Sequence, residues 1–183
     1  EINANKIPLP LPNKIMAKNI LAIYAITSYL GVSQETFKKS IQTFNPPPGR
    51  IEIIKHNGLT IINDTYNANL ESAKAGIDIL SSYSKNKKIA IIGDMLELGD
   101  LAKKHHQMLG EYISSSKIDL LLAVGELTKI TINEAKGMNS AFYENKDKLL
   151  KELKNIKNPG NVFYVKGSRG MQMENIINKG LLG

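Results

Sequence analysis

At 183 residues, 42% of them apolar, the chain is long enough to bury one full domain and part of another. It has no cysteine, which excludes disulfides and thiolate metal sites and fits a cytoplasmic protein, and no apolar run approaches bilayer length, which argues against membrane insertion. The formal charge of +7 comes mostly from lysines scattered among Asn, Ser and Glu, with no Trp and no basic run interleaved with aromatics, so nucleic acid is not an expected partner. The sequence opens at Glu1 without a signal-peptide layout, and we read it as a piece of a longer protein.

In chain order, "EINANKIPLPLPNK" reads as a short edge strand and a proline-stiffened turn. "IMAKNILAIYAITSYLG" has helical apolar spacing and stops at Gly31, and "SQETFKKSIQTF" opens a second helix on Ser33. "NPPPGR" cannot be helical, because its prolines remove donors and fix φ. The expected boundary falls there, dividing the tail of an upstream domain (1–47) from a second domain (48–183).

"IEIIKHNGLTIINDT" is predicted to be a hairpin turning at Asn57-Gly58. Helices are expected near 70–83, 101–116, 126–136, 146–156 and 171–181, separated by the strands "KIAIIG", "IDLLLAVG", "NSAFYE" and "NVFYVKG". Unalternating apolar strands between amphipathic helices specify an open, mostly parallel, Rossmann-like α/β sheet covered on both faces. Right-handed crossovers then bring "NDTYNAN", "GDMLELG" and "KGSRG" to the carboxyl edge of the sheet, where such folds bind ligands.

Each loop has a functional and a structural reading. Asp64 could hold ribose hydroxyls with Arg50 bracing the sugar or a phosphate, or Asp64 or Asn67 could simply cap the next helix. Capping needs one such residue, so we favour a binding role for the run. Asp94 and Glu97 could bind a cation or an ammonium group, or could cap and pack. His105 and His106 read as surface or capping residues, and we assign no metal site. "KGSRG" offers a hydroxyl, a guanidinium and free N–H groups to a carboxylate or phosphate. Arg50 and Arg169 are the only arginines, which points to places that need a planar fork rather than mere charge. Neither G-x-x-x-x-G-K-[ST] nor G-x-G-x-x-G occurs, so a nucleotide's phosphates would have to be gripped elsewhere.

In combination and in this order, "PPGRIE", "NDTYNAN", "GDMLELG" followed by His106, and "KGSRG" resemble the C-terminal part of the Mur ligases. Within that family "YNAN" with "GDMLELG" is similar to the branch that joins D-alanyl-D-alanine to UDP-N-acetylmuramoyl-tripeptide in bacterial peptidoglycan synthesis. The resemblance implies a cytoplasmic enzyme using ATP and Mg²⁺, with the metal ligands and P-loop in an upstream central domain whose end is residues 1–47. It implies an acyl-phosphate route and an inactive isolated fragment. Carried over by position, Asn19, Arg50, Asp64, Tyr66 and Asn67 would contact ATP, while Asn69, Ser168 and Arg169 would contact the dipeptide. Ile15 and Met16 stand where the family usually has His and Asn, Thr65 where Ser is common, and Leu70 where Pro is usual. A folylpolyglutamate-synthase-like ligase, against which "YNAN" counts, and a non-enzymatic nucleotide-binding α/β module are the alternatives.

Overall fold

The computed structural model describes residues 14–84 and 86–183, with side chains from Met16 onward. The short strand expected at the start of the chain, and the side chain of Ile15, lie outside the described residues. The chain divides into two units, Glu1–Pro46 and Pro47–Gly183. In the first, α1 (Lys14–Tyr29) and α2 (Gln34–Gln42) bury Ile20 against Phe37 and Ile41. The Tyr24 and Phe37 rings meet edge-on at 5.0 Å. Ser33 caps α2 by accepting a hydrogen bond from the Thr36 N–H.

The second unit is built on one six-stranded sheet. Its strands are β1 (Glu52–His56), β2 (Leu59–Asp64), β3 (Lys88–Gly93), β4 (Leu120–Val124), β5 (Ser140–Tyr143) and β6 (Val162–Lys166), in spatial order 1-2-6-3-4-5. Only the β1–β2 pair is antiparallel. It turns at Asn57 and Gly58, both at positive φ, as a two-residue hairpin of primed type requires. The inner strands β2, β6, β3 and β4 are buried along almost their whole length, which is why β3, β4 and β6 read as continuous apolar runs, while the edge strand β5 is half-buried.

Helices α3 (Leu70–Ser81), α4 (Ala102–Ser114) and α5 (Thr128–Glu134) form one layer. The other face packs α6 (Lys146–Ile156) and the C-terminal segment over Ile61, Ile91, Leu122 and Phe163. Asn145 caps α6 through the Lys148 N–H, which fixes its start.

The single helix expected at 171–181 is instead three short pieces. A 3₁₀ turn (Arg169–Met171) ends at Gln172, whose φ of +46° leaves the helical basin, and α7 (Glu174–Ile176) then widens into a π-turn (Ile177–Leu181). The wide turn presses Gly180 onto α6, where a Cβ would come within 2.7 Å of Leu153 Cδ1.

Candidate functional site

Strand register decides where the loops emerge. Asp64, the last residue of β2, pairs with Lys166, the last of β6, and Ile92 of β3 pairs with the same lysine. The runs beginning at Asp64, Asp94 and Gly167 therefore leave one edge of the sheet side by side. β6 lies between β2 and β3, and the chain after it packs on the α6 face, whereas the chain after β2 and after β3 enters α3 and α4 on the opposite face, the arrangement that opens a crevice.

The edge has a buried tier and an exposed one. In the buried tier, Asp64 Oδ2 accepts hydrogen bonds from Lys166 Nζ at 2.5 Å and Tyr164 Oη at 3.1 Å. The ammonium also reaches the Asn67 carbonyl oxygen at 2.9 Å. The lysine side chain is only 2% exposed and the aspartate side chain 10%. Burial pushes the Asp64 carboxyl up and the Lys166 ammonium down, while each partner's charge pulls the other back. Burial and the Asp64 charge hold the Tyr164 phenol well above its ordinary value, so it stays a donor.

A second buried network joins the other two loops. Ser168 N–H donates to the Asp94 carbonyl at 3.0 Å, and Leu96 N–H donates back to Ser168 Oγ at 2.8 Å. The Asp94 carboxylate turns inward and accepts the Thr128 N–H at 2.9 Å, capping α5 from another part of the chain. Gly125 makes room for it, since a Cβ there would lie 2.5 Å from the carboxylate carbon. His106 is fully buried; Nδ1 donates to the Ala102 carbonyl, which leaves Nε2 to accept the Met95 N–H at 3.1 Å. Burial lowers its pKa, keeping the imidazole neutral. The histidine read as a surface or capping residue is thus a strut for the 94–98 loop.

In the exposed tier, the Arg50 guanidinium stacks over the Tyr66 ring, 4.0 Å from its centroid. The turn that presents it has Gly49 at φ +74° and Ile51 at φ +57°. A β-branched residue in the left-handed region is strained and persists only where its surroundings hold it. Here Ile51 is buried, and Tyr66 N–H bonds to the Gly49 carbonyl. Arg169 is exposed on the neighbouring loop and pairs with Glu174 at 3.0 Å. Glu97 stands exposed at φ +62°.

The polar run 63–69 resolves into several distinct jobs. Asn63 accepts from Thr65 Oγ1 at 2.8 Å and donates to Glu52 at 2.9 Å, closing a local turn. Asn69, rather than Asp64 or Asn67, caps α3, in a reciprocal box with Ser72. Asn67 Oδ1 accepts the next N–H, Ala68, at 2.8 Å. Much of the junction's hydrogen-bonding capacity is therefore spent on shape, leaving Tyr66 and the Asn67 amide facing solvent. Asn19 is exposed on α1 in the other unit.

Sequence reading missed Tyr164 and Thr128 and gave Lys166, in the "KGSRG" turn, no partner, because their partners lie 34 or more residues away. Among the described residues, no group of three or more His, Asp or Glu side chains could hold a metal ion, and no helix is long and apolar enough to cross a membrane.

Residues 49–169 match the family model described as "Mur ligase, glutamate ligase domain". The chain is 36% identical over 176 residues to UDP-N-acetylmuramoyl-tripeptide–D-alanyl-D-alanine ligase of Bacillus subtilis, covering 92% of this chain and 38% of that relative. It is 31% identical over 173 residues to the enzyme of the same name from Escherichia coli, covering 92% and 37%. Among solved structures, MurF from Acinetobacter baumannii superposes with a TM-score of 0.86 at 28% identity, over 94% of this chain and 38% of that one. MurF from Thermotoga maritima in complex with ADP gives 0.79 at 26%, over 93% and 39%. The chain thus spans less than two fifths of the length of these curated relatives.

Proposed function

Because this chain belongs to the Mur ligase family, we propose that it is the C-terminal portion of an ATP-dependent ligase that joins D-alanyl-D-alanine to UDP-N-acetylmuramoyl-tripeptide in the bacterial cytoplasm. Residues 1–47 are the end of the central ATP-binding domain, and residues 48–183 the domain that closes over ATP and receives the dipeptide. The P-loop and the Mg²⁺ ligands belong to the upstream part, so residues 1–183 alone turn over no ATP.

The supporting observation is the common edge: Asp64 and the Gly167–Arg169 turn leave adjacent parallel strands in register. The residues there suit the two ligands. Arg50 and Asp64 suit a ribose, with Tyr66 and Asn67 beside them; Asn19 belongs to the other unit and is assigned to adenine by the resemblance alone. Arg169 suits the dipeptide carboxylate, with Ser168 and Asn69 bounding that side. In this reading the tripeptide carboxylate is activated as an acyl phosphate, and the dipeptide amine attacks it with release of phosphate. No side chain of this domain acts as a nucleophile; its contribution is to position the reactants and exclude water.

Arg50→Ala in the full-length protein tests the nucleotide assignment without touching the core. The KM for ATP should rise roughly tenfold, the cost of about one charge-assisted contact, with the dipeptide KM and the melting temperature unchanged. An unaltered ATP dependence would remove Arg50 from the site. Absence of phosphate release dependent on both tripeptide precursor and dipeptide would reject the activity itself.

A further inference from the structure

Lys166 is the feature that neither ligand requires by name and that the geometry singles out. Its ammonium, a group with three donors, meets three oxygens of one loop: Asp64 Oδ2 at 2.5 Å, the Asn67 carbonyl at 2.9 Å and the Asp64 carbonyl at 3.5 Å. Tyr164, two residues earlier on the same strand and so on the same face, takes the same carboxylate oxygen. Both bonds fall on the same oxygen, Oδ2, which fixes the rotation of the carboxylate. The bonds to residues 64 and 67 also bracket Tyr66, whose ring carries Arg50. One side chain from β6 therefore fixes the start and the middle of the loop on β2.

We propose that Lys166 is the positioning residue of the nucleotide-binding half of the edge: it orients the Asp64 carboxylate and holds the 64–67 loop so that Tyr66 presents Arg50 toward the sugar. This rests on the ligase reading above. A lysine, rather than another hydrogen bonder, suits the place because a buried carboxylate needs a counter-charge as well as a donor. The same strand tip continues into Ser168 and Arg169, so β6 supports both halves of the site, but the ammonium's bonds all run toward β2.

The test uses the full-length enzyme with Lys166→Gln, Lys166→Arg and a control, Leu153→Ala, a buried residue of α6 on the opposite face of the sheet. Three quantities are read: the dissociation constant of a non-hydrolysable ATP analogue, the dipeptide KM, and the melting temperature. Both Lys166 variants should weaken analogue binding roughly ten- to hundredfold, the scale of one charge-assisted hydrogen bond, while the dipeptide KM stays within about twofold. Lys166→Arg keeps the charge, so it should recover most of the melting temperature without recovering nucleotide affinity, since a planar fork cannot meet three oxygens from the same point. If Lys166→Gln does not fold, Lys166→Arg alone decides.

Wild-type affinity in the folded Lys166 variants would overturn the inference. So would an equal loss in Leu153→Ala, or parallel rises for nucleotide and dipeptide, since each marks general loosening. Failure of the ligase reading looks different: the unmodified protein would then bind no ATP analogue or show no dipeptide-dependent turnover.

Discussion

Gly76 of α3 gives the sharpest test of how the buried tier is packed. A Cβ built there would lie 2.1 Å from Tyr164 Cζ and 2.2 Å from its oxygen, where carbon atoms normally rest about 3.5–4.0 Å apart. The helix cannot retreat cheaply, because Ala73, Ile77 and Leu80 are buried on it. Gly76→Ala therefore forces the Tyr164 ring aside. Overpacking costs about 1–3 kcal/mol, and losing the hydroxyl's bond to a carboxylate about 1.5–3 more. Alanine's higher helix propensity returns about 1 kcal/mol, so the net loss is about 1.5–5 kcal/mol. At about 2–4 °C per kcal/mol, calorimetry should show the transition roughly 3–20 °C lower. Tyr164→Leu in the same background should recover part of the loss, as a double-mutant cycle would register. An unchanged or raised melting temperature, the ordinary result of Gly→Ala in an exposed helix, would show that α3 does not press on Tyr164.

Three further outcomes follow from the site. Burial lowers the folded-state pKa of His106, so the stability it contributes is present above its unfolded value near 6.5 and is lost as pH falls below it; urea titrations from pH 7.5 to 5 should show this slope, and His106→Gln should flatten it. Arg169→Lys in the full-length enzyme should raise the dipeptide KM far more than the ATP KM, by roughly 1–3 kcal/mol of lost binding, and equal effects on both would remove Arg169 from the dipeptide side. Asn69→Asp should leave stability unchanged, because aspartate caps as well as asparagine, and should raise the dipeptide KM if the amide faces that ligand; a destabilised variant would show that the amide itself supports the fold.

The architecture was legible because local rules fix it. The Asn57-Gly58 turn, the apolar runs of β3, β4 and β6, and Ser33 before α2 each carry their own signal, and the sheet is mostly parallel with helices on both faces as those signals require. The internal uses of the edge residues were not legible. That Lys166 is buried against Asp64, that Asp94 caps a helix 34 residues later, and that His106 accepts a backbone N–H are facts of tertiary proximity. The polar run 63–69 misled in a specific way: capping does need only one residue, but Asn63 and Thr65 were also required to turn the chain. The C-terminal π-turn had no local sign because contact between Gly180 and α6 imposes it.

The strand order has a consequence for how the molecule is made. β6, translated last, fills the gap between β2 and β3. Until it docks, no strand pairing joins the hairpin to the β3–β4–β5 ribbon, and each offers an unpaired edge to other chains. Contacts this distant along the sequence form slowly. The same insertion delivers Lys166 to Asp64, so the folding chain completes its sheet and pairs this buried carboxylate in one event.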